Sequence, residues 1–212
     1  MLRQDLIELS DKILAFIQDV PGVAVLPTED FGWENYRFYS PFFRLAHVER
    51  YFEDGLIVLH ITCFPHANVG SPIFGFDVVG SEKTGKITGA FIDWSPVLYE
   101  YDWHDTEWAN NRALPVWATV FSKKFIAIRP ELEEHKKIFE FAYENFQQYI
   151  HYLEDNYNTG YSARSVLDQI REKQNQYCEH QSENPRTFAA LSHKVGEERA
   201  RYFMKEILFP KC

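Results

Sequence analysis

Apolar residues recur along the chain in two different periods. Within residues 3–18, RQDLIELSDKILAFIQ, the positions Leu6, Ile7, Ile13, Leu14 and Ile17 fall at helical spacing, and Pro21-Gly22 ends the run. From about 42 to 128 the pattern shortens. Runs rich in β-formers, at 42–52, 56–64, 73–79, 86–93 and 121–129, stand between Asp-Gly, Pro and Gly punctuation and predict strands. Pro130 then opens PELEEHKKIFEFAYENFQQYIHYLEDN, which predicts a long amphipathic helix with Leu132, Ile138, Phe139, Ala142, Phe146 and Leu153 on its apolar stripe. Further helices are expected at 163–176, 184–193 and 195–208. A helix, an antiparallel meander and a closing set of helices predict an α+β fold with a sheet between helical layers, as a single domain over 1–212.

Composition narrows the partners. A chain of 212 residues that is 45% hydrophobic supports one sizeable core. Its formal net charge of -9 argues against nucleic acid, whose phosphates require clustered Lys and Arg. Cys63, Cys178 and Cys212 form no CxxC and no disulfide framework, so a reducing, cytoplasmic setting is expected. The first helix is too charged for a signal peptide and no apolar run approaches a membrane span, so a soluble monomer is expected.

The stretch LHITCFPHANVGSPIFGFDVVG, residues 59–80, places an ionisable residue inside each of two apolar strands, His60 and Asp77. In an antiparallel hairpin the numbers of opposed residues add to a constant, so each turn fixes a register. A turn centred on Asp54-Gly55 sets Glu49 opposite His60. A loop centred between Asn68 and Val69 sets His60 opposite Asp77, and one centred between Glu82 and Lys83 sets Asp77 opposite Thr88. Glu49, His60, Asp77 and Thr88 are thus expected in one row across four strands, with His47 beside Glu49 on the same face. At about 4.8 Å per strand the row is roughly 14 Å long, the width of a flat multi-ring ligand.

Neighbouring acids around a histidine in a desolvated row have coupled titrations and can exchange protons. A single buried His or Asp is ordinarily a satisfied core residue, whereas four in register point toward function. The same set, His47, Glu49, His60 and Asp77, also suits a non-haem metal. Other motifs carry less. GSEKTGKI, residues 80–87, approaches a phosphate-binding loop, but Ile87 stands where Ser or Thr is needed and a strand follows, so it reads as a hairpin. No GxGxxG signals a flavin or nicotinamide site. The remaining histidines, His193 apart, are expected in turns or on helix surfaces, and Cys63 faces away from His60.

Several separated blocks, FPHANVGSPIFGFDVVG, FIDWSPV, RALPVWATVFSKKFIAIRP, YCEHQSENPRT and RARYFMKEILFP, resemble the ferredoxin-dependent bilin reductases in order and content, from about residue 35 to the C-terminus. The resemblance implies a three-layer α/β/α sandwich with a central antiparallel sheet, holding biliverdin IXα without a bound flavin, metal or nicotinamide cofactor. It implies that His60 and Asp77 are the central proton-handling pair and that Glu49 is the acid serving the D-ring vinyl in the phycocyanobilin-forming branch. His47, Thr88, Trp117 and Gln181 would line the pocket, and Arg112 and Arg186 would pair with the two propionates. Arg186 stands where Lys is common. Asn184 with Glu49 favours phycocyanobilin over phycoerythrobilin as product, and a carrier that holds the pigment without reducing it is the rival from another class. Reduced ferredoxin is the implied electron donor. Because ferredoxins are acidic, a local basic patch is expected to dock it, with Lys83, Lys86, Lys123 and Lys124 as candidates.

Overall fold

The fold was analysed in a computed structural model, which describes residues 2–53, 55–113 and 118–212. Helix α1, Leu2–Gln18, precedes strands β1 Ala24–Val25, β2 Glu34–Tyr39, β3 Phe43–Glu53, β4 Leu56–Pro65, β5 Ile73–Ser81, β6 Ile87–Ser95 and β7 Ile126–Ile128. Then come α2 His135–Asn156, α3 Arg164–Ser182, α4 Pro185–Val195 and α5 Glu197–Tyr202, the last running on into a π-helical turn, Phe203–Leu208. The seven strands form one antiparallel sheet in sequence order, β1 to β7.

Strand alternation splits the interior in two, because successive side chains leave opposite faces of a sheet. Ala46, Val48, Leu59, Ile61, Cys63, Phe74, Phe76 and Ile92 join Leu6, Ile13 and Ile17 of α1 and Ile138, Ala142 and Phe146 of α2 in one buried cluster. Leu45, Tyr51, Phe64 and Ile73 join Tyr177 and Cys178 of α3, Leu191 of α4 and the Ala200–Phe209 segment in the other. The result is the three-layer α/β/α sandwich expected from the sequence, with α1 and α2 on one side of the sheet and α3 to α5 on the other.

Specific polar contacts tie the layers to the sheet. Tyr149 of α2 donates from its hydroxyl to the carbonyls of Cys63 and Pro72, at 3.0 and 2.8 Å. Arg50 of β3, itself buried, reaches Ser10 at 2.7 Å and pairs with Asp11 of α1 and Glu34 of β2. The three cysteines are free, and no described helix is long and apolar enough to cross a membrane.

Four details depart from the sequence reading. Strands β1 and β2 were not anticipated, since the two residues of β1 are both exposed and β2, ENYRFY, mixes exposed and half-buried positions. The expected strand at 121–129 shortens to Ile126–Ile128. Leu132 lies in a 3₁₀ turn ahead of α2 and is exposed, outside the buried stripe of that helix. His135, at the start of α2, is buried and not on a solvated surface.

Candidate active site

The register of β2 to β6 builds two adjacent polar rows on the face covered by α3 to α5. One row runs Asn35, Glu49, His60, Asp77, Phe91. The next runs Arg37, His47, Thr62, Gly75, Asp93. Glu49 therefore stands opposite His60, and His60 opposite Asp77. Thr88 does not join them. The β5–β6 turn centres between Lys83 and Thr84, with the Ser81 N–H bonded to the Lys86 carbonyl and Gly85 in the left-handed region at φ 63°. A register shift between Val79 and Gly80 adds a further residue, so Phe91 takes the place opposite Asp77. Thr88 is exposed, and its hydroxyl donates to the Val79 carbonyl at 3.1 Å.

Burial and charge set the protonation of the rows. The His60 imidazole donates from Nδ1 to Asp77, whose side chain keeps 36% of its exposure while that of His60 keeps 9%. Burial alone would pull the His60 pKa down, but the Asp77 carboxylate, its hydrogen bond and the more distant Glu49 together raise it. The imidazolium is thereby favoured. His47, fully buried, is held well below the usual histidine range by desolvation first, then by the charges of His60 and Arg37. Its Nε2 meets Asn35 Oδ1 at 3.2 Å. Burial pushes the Glu49 carboxyl up to about 7, with Asp77 adding to the rise while His60 and the nearby Trp33 indole N–H oppose it. Its charge state therefore changes near neutral pH.

Four buried polar atoms of these rows, Arg37 Nε, His47 Nδ1, His60 Nε2 and Thr62 Oγ1, have no hydrogen-bond partner among the described residues. Such atoms cost about 1–3 kcal/mol each when left unsatisfied. Above them lie Phe203, 6.3 Å from the His47 ring, and Phe209, 5.6 Å from the His60 ring, both contributed by the C-terminal segment. The site is thus a buried polar floor of an acid pair, two imidazoles and a hydroxyl, packed beneath two aromatic rings. Among the described residues no three or more His, Cys, Asp or Glu side chains are placed to hold a metal ion.

The other sequence candidates are more dispersed. Gln181 is half-buried on α3, one turn beyond Tyr177. Asn184 caps α4, accepting from the Arg186 and Thr187 N–H groups at 3.0 and 3.4 Å, and Arg186 is exposed on its first turn. Arg112 is exposed, with its backbone N–H on the Ala127 carbonyl beside β7. Trp117 lies outside the described residues. Lys83, Lys86 and Lys123 are exposed, and Lys124, half-buried, pairs with Asp102 and donates to the His104 carbonyl. Arg129 is exposed near Lys86, its guanidinium on the Thr88 carbonyl at 3.0 Å.

Sequence reasoning missed Trp33 and Asn35 because it missed β2. Phe203 and Phe209 gave no signal beyond helical periodicity. Asp93 was missed as well, although FIDWSP sets one acid inside an apolar strand just as FGFDVVG does.

Residues 25–210 match the family described as ferredoxin-dependent bilin reductase. The phycocyanobilin:ferredoxin oxidoreductase of Trichodesmium erythraeum is 31% identical over 189 residues, covering 83% of this chain and 75% of that protein. The enzyme of the same name from a Synechococcus strain is 29% identical over 188 residues, with the same shares. Among solved structures, one named PcyX superposes with a TM-score of 0.70 at 24% identity, covering 98% of this chain and 99% of its own. Tomato phytochromobilin synthase in complex with biliverdin gives 0.72 at 18% identity, covering 94% and 82%. With a family match spanning most of its length, on the fold those structures share, this chain is a member of the ferredoxin-dependent bilin reductases, oxidoreductases that act on bilins.

Proposed function

We propose that the chain reduces biliverdin IXα to phycocyanobilin, a four-electron reduction in which ferredoxin supplies electrons singly and the protein protonates the resulting bilin radicals. The observation that carries this reading is the row Glu49–His60–Asp77 with its unpartnered neighbours His47 Nδ1, His60 Nε2 and Thr62 Oγ1. A flat tetrapyrrole brings lactam oxygens and pyrrole nitrogens, which match such donors and acceptors in kind. The names of the relatives, and the biliverdin held by the tomato protein, support the choice of substrate and product.

With electrons arriving from outside, no bound flavin, metal or nicotinamide is required, and the chain's task is to place protons. Asp77, the most open of the three, is the main donor, and His60 shares its proton through Nδ1. Glu49, whose carboxyl is held up to about 7, keeps a proton available near neutrality for the D-ring vinyl. Arg112 and Arg186 offer cations to the propionates, Gln181 completes the lining, and Thr88 is dropped from the set. Ferredoxin docks on the edge formed by Lys83, Lys86, Lys123 and Arg129, where charges of opposite sign attract an acidic partner despite the chain's net charge.

The deciding experiment uses Asp77→Asn with biliverdin, reduced ferredoxin and an electron-regenerating system under anaerobic conditions. The variant is expected to bind biliverdin and stop at a radical, while the unaltered chain yields phycocyanobilin on chromatography. Normal turnover by the variant would refute the role of Asp77. Phycoerythrobilin from the unaltered chain would refute the product, and binding with no reduction would mark a carrier.

A further inference from the structure

Two of the three free cysteines meet where the C-terminal segment lies against α3. Cys178, buried, follows Tyr177 on that helix, and its thiol donates to the Pro210 carbonyl at 3.5 Å. Cys212, exposed, donates from its thiol to Gln174 Oε1 at 3.2 Å and from its backbone N–H to Asn175 Oδ1 at 2.8 Å. The same Gln174 oxygen accepts from Arg44 Nε at 3.0 Å, and a terminal nitrogen of that guanidinium lies 3.9 Å from Cys178 Sγ. One amide and one guanidinium therefore bridge the two sulfurs. Cys63 takes no part, since it packs in the cluster on the opposite face of the sheet.

The segment that carries Cys212 also carries the ceiling of the site. Phe209, next to Pro210, stands 5.6 Å from the His60 ring and 6.5 Å from the Tyr177 ring. Beneath it and Phe203, His47, Glu49 and His60 keep only 0, 4 and 7% of their exposure. A flat tetrapyrrole can meet Glu49 and His60 only once Phe209 has moved aside. With free thiols that movement breaks ring contacts and weak S–H bonds. A covalent bond between Cys178 and Cys212 would tie the segment to α3 just beyond Phe209 and oppose it.

Charge around the thiols selects the oxidant. Arg44 is half-buried and Arg171, on the turn of α3 before Asn175, is exposed. Neither guanidinium pairs with a carboxylate among the described residues, and both charges reach Cys212. A small disulfide bearing carboxylates is drawn to such a place, and an uncharged one is not. Burial raises the pKa of both thiols while Arg44 opposes the rise, so what thiolate forms does so beside that cation.

We propose that Cys178 and Cys212 form a thiol switch, closed by an anionic low-molecular-weight disulfide of the glutathione class, that locks the ceiling over the row and shuts the bilin out. The inference rests on the reductase reading for the identity of the excluded pigment. The Cys212 thiolate attacks one sulfur of the small disulfide, forming a mixed disulfide and releasing one small thiolate. The Cys178 thiolate then attacks Cys212 Sγ, and the Cys178–Cys212 bond forms as the mixed bond breaks. The second small thiolate leaves with that electron pair. Two electrons thus pass from the cysteines to the small disulfide, and the two thiol protons end on the released thiols. Closure needs Cα atoms about 4.4–6.8 Å apart, and the exposed Cys212 has only the one helical turn from Gln174 to Cys178 to cross.

The test incubates the full chain with glutathione disulfide, maps its disulfides by mass spectrometry of unreduced peptides, and follows biliverdin binding by absorbance. A Cys178–Cys212 bridge is expected, with affinity lowered about tenfold or more as the open fraction falls, and recovered with dithiothreitol. Cys212→Ser should bind biliverdin equally before and after the treatment, and Cys178→Ser should stop at the mixed disulfide. Arg171→Glu should slow bridging by glutathione disulfide several-fold and leave bridging by uncharged hydroxyethyl disulfide as it was; an unchanged rate with the first, or equal slowing with both, overturns the anionic class. No bridge, a bridge to Cys63, or a Cys178–Cys212 bridge with affinity within about twofold of the untreated chain overturns the switch. Failure of the untreated chain to reduce biliverdin overturns the reductase reading, whereas the peptide map reads the bridge regardless of it.

Discussion

Glu49 gives the most direct quantitative test of how the site is built. Its carboxyl ionises near 4.5 in an unfolded chain and at about 7 in the fold, chiefly because burial penalises the charge. Between those values the folded state binds more protons than the unfolded state, so stability falls as pH rises from 4.5 to about 7 and is level above that. At about 1.36 kcal/mol per pH unit the carboxylate costs the fold roughly 3 kcal/mol at pH 8. Glu49→Gln removes the charge while keeping the shape. The substitution also withdraws the Glu49 charge that helps hold the His60 proton, which takes back part of the gain and leaves about 2 kcal/mol. The variant is therefore expected to match the unaltered chain at about pH 4.5 and to exceed it at pH 8, by roughly 1 M in urea midpoint. Urea unfolding of both proteins at the two pH values measures this directly. Equal midpoints at pH 8, or the same advantage at both pH values, would refute the idea that burial of Glu49 sets its protonation.

Two further outcomes bear on the register and on docking. Thr88→Val should leave turnover within about twofold, since the hydroxyl is exposed and bonded to its own hairpin; a tenfold loss would restore Thr88 to the site and contradict the slipped β5–β6 pairing. Charge reversal at Lys86 and Arg129 together should raise the KM for ferredoxin several-fold at low ionic strength and much less at about 0.5 M salt, and a flat response in a steady-state assay would remove that edge as the docking surface.

The parts of the site that were legible in the sequence are those fixed by short, well-marked turns. Asp54-Gly55 and the loop around Asn68 and Val69 set two registers, and from them followed Glu49, His60 and Asp77 in line. The third turn failed for a local reason. Gly85 takes a left-handed conformation that moves the turn centre, and the shift at Val79/Gly80 moves the pairing again, neither of which alternation of apolar residues can reveal. The helical layers were visible because amphipathic periodicity is strong, as in α1 and α2. Strand β2 was not, since its half-exposed residues show neither a clean period of two nor a continuous apolar run. With it went Asn35, which fixes the His47 ring. The roof of the site was hidden for a different reason, because a π-helical turn differs from an α-helix in backbone bonding and hardly at all in residue pattern.

That turn separates chain length from the shape of the site. Phe203–Leu208 continues the axis of α5 with wider winding than the helix before it, and the two aromatic rings over the histidines bracket it, one at each end. An α-helix advances about 100° per residue. Losing a single residue from this segment would relax it to ordinary winding, in which five residues turn about as far as six do in the π form, so Phe209 would stay over His60 while α5 stayed seated. The wider turn thus takes up one extra residue without re-aiming the rings at its two ends. Relatives that lack that residue would keep the same ceiling over the same acidic floor.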